Sequence, residues 1–349
     1  MSPALVDCDV HNVVGPIETL EPYLDEHWRE VIDTSQFAGP TDQAHPPNLA
    51  TSLRDDLAPV DGEAPGRTVA SMRAQLLDPL GTELAILSCD YGVESVRNPD
   101  AAAALARAVN TWQVAEWLDR EPRLRAAIVI PSQQPAAAVT EIERWATDRR
   151  FVSVYLPVRS AIPYGNRIWW PLWDAIVRHE LVAELHFGGS AGVPPTAAGW
   201  PTTWLEEYVD MASAFAAQLT SLVAEGTFDR FGGLRVSLIE SGFAWLPAFL
   251  WRFDKGWRGL RREVPWTTRL PSEYVRDHVR VSLQPVDGPP EPADLLRVVD
   301  QLGSERMLMF SSDYPHRHVT EELAAVPEGI PPALADGLLS GNAREHYRL

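Results

Sequence analysis

The chain predicts a (β/α)8 TIM barrel with a long excursion after its first strand. Three observations lead there: eight short, mostly apolar segments, helical spacing between them, and no low-complexity linker anywhere in the 349 residues. Apolar strands without polar alternation are those of a parallel sheet covered by helices on its faces. Eight such units match the size of a barrel, roughly 250 residues or more. The whole of 1–349 therefore reads as one domain.

The elements follow in order. Strands are expected at 5–10, 84–89, 126–130, 152–156, 182–185, 235–239, 279–283 and 307–310, each a run of Val, Ile, Leu, Ala or Met. Helices are expected at 101–119, 136–147, 170–179, 203–224, 245–261 and 292–302, where apolar residues recur at helical spacing. The stretch 18–65 fits neither pattern. It carries Pro40, Pro46, Pro47, Pro59 and Pro65 among polar residues, and reads as a long excursion after strand one that could cap the barrel mouth. A doubly wound open sheet is the competing architecture. It would need a glycine-rich turn after the first strand, and the chain has Asp9-Val10-His11-Asn12 there.

Charge excludes several functions. With 30 basic and 48 acidic side chains the formal net charge is −18, against what a nucleic-acid binder needs to neutralise phosphates. Lys255 is the single lysine, so a phosphate-cradling GxxxxGK[ST] loop is absent and a Schiff-base enzyme would have only that residue. The start, MSPALVDCDVH, turns polar too soon for a signal peptide, and no long apolar run suggests a membrane span. A cytoplasmic protein is expected. Cys8 and Cys89 are too few for a disulfide framework.

In a barrel the active site lies at the C-terminal ends of the strands. Those ends here carry Asp7, Asp9 and His11 in strand one, His186 in strand five, Glu240 in strand six and Asp313 in strand eight. Asp9 and His11 are two apart, so in a strand they point to the same side. With His186 and Asp313 they make a set of nitrogen and oxygen ligands suited to one divalent ion, Zn²⁺, Mn²⁺ or Fe²⁺. Such an ion activates water and polarises a carbonyl or carboxylate oxygen, so hydrolysis and decarboxylation are both open. Each residue also has a plainer role available: His186 as a core histidine, Asp313 as a helix N-cap, Glu240 as the partner of an arginine.

Taken together, Asp7-Cys8-Asp9-Val10-His11, Leu185-His186-Phe187-Gly188, Ser311-Ser312-Asp313-Tyr314-Pro315-His316 and Leu338-Leu339-Ser340-Gly341-Asn342-Ala343-Arg344 carry a resemblance. The chain resembles the amidohydrolase-related family, the branch of the amidohydrolase superfamily with aminocarboxymuconate-semialdehyde decarboxylase and the resorcylate-type decarboxylases. The resemblance implies a barrel in a homodimer with one divalent metal. By position it implies Asp9, His11, His186 and Asp313 as ligands. Two departures stand out. Asp9 replaces the histidine or glutamate common at the first ligand position, and Glu240 stands where the decarboxylases have a catalytic histidine. The superfamily's two-metal members bridge their ions with a lysine at the end of strand four, and strand four here has none.

Because glutamate can serve as a general base beside an activated water, the sequence reads first as a metal-dependent hydrolase of a small amide or carboxylate, with Glu240 and Asp313 catalytic. Nonoxidative decarboxylation is the alternative. A barrel that has lost its metal and serves as a binding scaffold is the second alternative. His316 and Arg252 are weaker candidates for substrate contact, and Arg276 and Arg280 flank the seventh strand where they could clamp a carboxylate. His27, His45, His179, His278, His318 and His346 have no strand-end context.

Overall fold

The computed structural model describes residues 5–40, 53–189, 192, 194–317, 326 and 329–349. Eight parallel strands run in sequence order: β1 (Leu5–Val10), β2 (Thr82–Leu87), β3 (Leu124–Val129), β4 (Phe151–Pro157), β5 (Val182–His186), β6 (Val236–Ile239), β7 (Val279–Ser282) and β8 (Leu308–Met309). The end of β8 returns to β1. The Cys8 amide donates to Phe310 O at 3.0 Å, Asp313 N to Asp9 O at 3.1 Å and His11 N to Tyr314 O at 2.7 Å, which closes the sheet into a (β/α)8 barrel.

All eight expected strands form, with shifted ends. The last is shorter than 307–310 because the Phe310 amide leaves the sheet and donates to Leu338 O in the C-terminal segment. The six expected helices form as well. The second of them, Pro135–Trp145, has proline in its first turn, where a missing N–H costs nothing. Trp204–Ala224 begins with a reciprocal capping box between Thr203 and Glu206. The expected 101–119 helix is Pro99–Trp112, capped by the Asn98 side chain, continued by a wider turn over Gln113–Leu118. Its buried amides are used by the sheet: Asn110 Nδ2 donates to Val129 O at 2.8 Å and Gln113 Nε2 to Ala127 O at 3.2 Å.

Apolar side chains between helices and sheet make the larger core, including the buried Trp117 and Trp173. A smaller cluster joins Val6, Cys8, Leu84, Ile86, Val182, Ile239 and Met309 to Tyr347 of the C-terminal helix Asn342–Tyr347. The Tyr347 hydroxyl donates to Ser237 Oγ at 2.8 Å. Cys8 and Cys89 are buried free thiols. Among the described residues no helix is long and apolar enough to cross a membrane.

The excursion after β1 reaches the mouth, as expected, although 41–52, with His45, Pro46 and Pro47, lies outside the described residues. Leu53 bridges His316, the Arg54 amide donates to Pro315 O at 3.0 Å, and Gly66 N–H donates to the Tyr314 hydroxyl at 3.0 Å. Gly66 sits at φ +77°, and a Cβ there would come within 3.2 Å of His11 O, so only glycine lets this segment approach the end of β1.

Candidate active site

Parallel strands of one barrel all deliver their last residues to the same end, so groups distant in sequence meet there. Asp9 and His11 leave β1, whose register against β2 is irregular between Asp7 and Val10. His186 is the last residue of β5, Glu240 follows β6, and Asp313 lies in the turn after β8. Asp9, His11 and His186 offer ligand atoms within 4.8 Å of one another, and so do His11, Glu240, Asp313 and His316. His11 belongs to both sets.

The distances are short and the groups buried. His11 Nε2 lies 3.0 Å from Asp313 Oδ1 and 3.5 Å from Asp9 Oδ1, and His186 Nε2 lies 3.3 Å from Asp9 Oδ1. His186 Nδ1 is 2.8 Å from Phe187 O, an atom that can only accept. That nitrogen therefore carries the proton donated to the carbonyl, and Nε2 is turned to the centre, the arrangement usual for a metal-ligating imidazole. Asp9 Oδ2 and both ring nitrogens of His11 are buried with no hydrogen-bond partner among the described residues. Buried polar atoms are rarely left so. With only oxygen and nitrogen donors converging, Asp9, His11, His186 and Asp313 fit a divalent cation of the Mn²⁺, Fe²⁺ or Zn²⁺ type.

Two of these residues hold left-handed backbone without being glycine, Glu240 at φ +57° and Asp313 at φ +55°. Such positions cost of order 1–3 kcal/mol each and persist only where the surroundings over-determine them. Here Glu240 N–H donates to Ser282 Oγ at 2.9 Å, and Asp313 is held by the Asp9 carbonyl on one side and the His316 amide, at 2.7 Å, on the other.

Electrostatics show that the centre gathers negative charge. Burial pulls the His186 imidazole down, but the Asp9 hydrogen bond and charge, with Glu184, outweigh it and push it up to about 9. Glu240 is raised well above the ordinary carboxylate range by burial and then by the charges of Asp313 and Asp9. Deeper in, Glu184 accepts from Ser88 Oγ at 2.8 Å and Ser153 Oγ at 2.9 Å, yet burial lifts it to about 7. Asp7, also raised by burial to about 7, accepts from the Ser312 amide at 3.0 Å and so ties β1 to the turn that carries Asp313.

The structure brings Asp9, His11, His186, Glu240 and Asp313 to one place. His316 joins them, its Nδ1 3.1 Å from Asp313 Oδ1 and 3.9 Å from Glu240 Oε1, its ring 4.2 Å from that of His11. The arginine clamp does not form. Arg252 is exposed on the helix Leu246–Leu260 and belongs to neither set. Arg280 instead donates to the carbonyls of Arg276 and Val279, and Arg276 to Leu302 O. Among the described residues Glu240 has no arginine partner; it faces His186 Nδ1 at 3.6 Å. Of the other histidines, His179 pairs with Glu143 at the surface and His278 stacks on Phe228, while His45 and His318 lie outside the described residues.

Sequence reasoning missed Asp90 and Tyr155. Asp90 Oδ1 lies 4.0 Å from His11 Nδ1, and the Tyr155 ring lies 5.2 Å from that of His186. Both sit at or just past strand ends, the signal that found the others; Tyr155 is read from the sequence only as part of strand four, and Asp90, next after the expected strand 84–89, is not singled out.

Residues 6–349 match the family model described as Amidohydrolase. The gamma-resorcylate decarboxylase of Rhodococcus jostii is 27% identical over 269 residues, 72% of this chain and 78% of that one. Among solved structures, a dihydroxybenzoic acid decarboxylase from Polaromonas sp. with bound manganese and the inhibitor 2-nitroresorcinol superposes with a TM-score of 0.69 at 21% identity, covering 99% of this chain and 97% of its own. An amidohydrolase from Mycobacterium avium subsp. paratuberculosis superposes with a TM-score of 0.74 at 18% identity, covering 99% and 100%.

Proposed function

The chain belongs to the amidohydrolase family, and we propose that it is a metal-dependent nonoxidative decarboxylase, a carboxy-lyase, of a small hydroxyaryl acid. The observation that supports the reading is that Asp9, His11 and His186 offer ligand atoms within 4.8 Å of one another while Asp313 stands 3.0 Å from the shared His11, in a chain whose curated relatives are gamma-resorcylate decarboxylases. This moves the first sequence reading, hydrolysis, to second place.

In this proposal those four residues hold one divalent ion, manganese by analogy with the Polaromonas relative. The ion supplies Lewis-acid polarisation of a substrate oxygen when bound. The rest is done by the chain. Loss of CO2 from an aryl carboxylate requires a proton to be delivered to the ring carbon that bore it, after which the carbon–carbon bond breaks and the electron pair returns to the ring. Glu240, past the end of β6, is placed to hold that proton at a carboxyl oxygen. His316, between Glu240 and Asp313, is placed to replace it. The buried setting of Glu240 keeps bulk water from competing for the proton.

Hydrolysis of a small amide is the second reading, favoured by Glu240 standing where the resembled decarboxylases carry histidine. The scaffold reading predicts His11 and His186 engaged by protein hydrogen bonds; His186 bonds to Phe187 O and Asp9 Oδ1, whereas the His11 nitrogens make none among the described residues. A cytoplasmic homodimer of single-domain barrels completes the proposal. The test is to load purified protein with Mn²⁺ and follow CO2 release from 2,6-dihydroxybenzoate beside amine release from benzamides. CO2 release abolished by EDTA and restored by Mn²⁺ is expected; release indifferent to EDTA, or amine release alone, overturns the reading.

A further inference from the structure

The segments that follow β2, β3 and β4 enclose a second cleft, of about 360 Å³, on the rim of the barrel mouth. None of Asp9, His11, His186, Glu240 and Asp313 lines it. Arg159, two residues past the end of β4, does. Its guanidinium is held on three sides: Nε donates to Gly188 O at 3.2 Å, Nη1 donates to Glu207 Oε1 at 2.5 Å, and Cζ lies 5.3 Å from the centre of the Phe187 ring. The residue is only 9% exposed, and Nη2 has no hydrogen-bond partner among the described residues. Trp169, also buried and lining the same cleft, leaves its indole N–H without one as well. Two buried donors on one cleft call for an acceptor, because buried polar atoms seldom go unbonded.

The neighbouring helix adds to this. Gln134, the N-cap of Pro135–Trp145, lines the cleft and makes no side-chain capping bond. The first amides of a helix have no partner within it, and the N-terminal end of its dipole attracts negative charge. A ligand rich in acceptors and negatively charged answers all three features. Its charge is small: Arg159 already pairs with Glu207, and Glu94 on the cleft is offset by Arg97, which favours one negative charge over the nearly two of a phosphate. Ile162 and Ile168, 41% and 46% exposed, supply an apolar wall. We propose that this cleft is a second ligand site, separate from the metal centre, for a small organic carboxylate. The carboxylate accepts from Arg159 Nη2, with the Trp169 N–H as a further donor, and the apolar body lies on Ile162 and Ile168. A guanidinium fixed in place suits the planar carboxylate group. The assignment does not depend on which bond the metal centre breaks.

The test is equilibrium dialysis of benzoate, as the probe, against Mn²⁺-loaded protein before and after EDTA. Benzoate held at the metal centre leaves with the metal, and one benzoate per chain is expected to stay. Arg159→Lys keeps a cation for Glu207 and removes Nη2, so the remaining affinity should fall about 10- to 100-fold, as for loss of a hydrogen bond to a charged group. Benzamide, the neutral isostere, should not distinguish wild type from Arg159→Lys. Ile162→Asp, at an exposed position, should keep the wild-type thermal midpoint and weaken benzoate by about 10-fold or more through like-charge repulsion. If Arg159→Lys does not fold, Ile162→Asp decides. Benzoate lost entirely with the metal, equal losses of benzoate and benzamide in Arg159→Lys, or unchanged benzoate in Ile162→Asp overturns the proposal. So does inorganic phosphate that displaces the EDTA-resistant benzoate at equal concentration, since the cleft is then a phosphate site.

Discussion

Glu121 links Arg123, at the start of β3, to Arg73, in the helical turn before β2, and replacing it with Gln gives a quantitative test of the barrel's electrostatics. The carboxylate is 3% exposed and accepts from Arg73 Nε at 2.5 Å and Arg123 Nε at 2.9 Å. The two guanidiniums, Arg123 foremost, hold Glu121 down to about 2 against the opposing effect of burial, from the ordinary 4.5. A drop of about 2.5 pH units is worth at most about 3.4 kcal/mol of folding stability at neutral pH. Because the arginines are 43% and 29% exposed, screening lowers this to about 1–2 kcal/mol. A carboxylate depressed in the folded state stabilises fully above its unfolded pKa near 4.5 and loses that contribution as pH falls through about 2. Urea unfolding of wild type and Glu121→Gln at pH 7, 5 and 3 measures it. The stability gap should be about 1–2 kcal/mol at pH 7, nearly unchanged at pH 5, and reduced by more than half at pH 3. A gap that is the same at all three pH values refutes the assignment of the stability to the ionised carboxylate.

Other outcomes follow from the mouth of the barrel. His11→Ala removes the residue common to both ligand sets and should weaken Mn²⁺ binding by more than about 100-fold, since even outer-shell losses cost 10- to 100-fold; elemental analysis after dialysis reads it, and unchanged metal content would remove His11 from the site. Glu240→Gln keeps shape but cannot hand over a proton, so kcat should fall about 100-fold or more with metal content retained. A variant with wild-type kcat would pass the proton role to His316 or Asp313.

The local pattern of the chain carried much of this. Runs of Val, Ile, Leu and Ala, broken by helical spacing, were enough for eight strands and six helices, because a strand buried on both faces has no other way to be written. The strand-end rule located Asp9, His11, His186, Glu240 and Asp313, since a parallel barrel sends every C-terminal strand end to the same face. It failed for Arg252, Arg276 and Arg280. A long flexible side chain takes its direction from neighbours distant in sequence, and Arg276 turns to the Leu302 carbonyl.

What the tertiary structure decided was direction and company. The left-handed backbone of Glu240 and Asp313 depends on the Ser282 hydroxyl and the Asp9 carbonyl, each brought from another strand when the sheet closes. The Asp9 carboxylate from β1 raises His186 against burial, and Glu240 is raised by burial and then by Asp313 and Asp9, a sum over distances that no single segment contains. Tyr155 read as one more apolar strand residue until closure left its ring on His186 and its hydroxyl without a hydrogen-bond partner among the described residues. Sequence alone determined which chemistry the strand ends hold, because alternation along a strand is local. Which of those groups meet, and what charge each carries, was settled by barrel closure, because electrostatics and hydrogen bonding act through space.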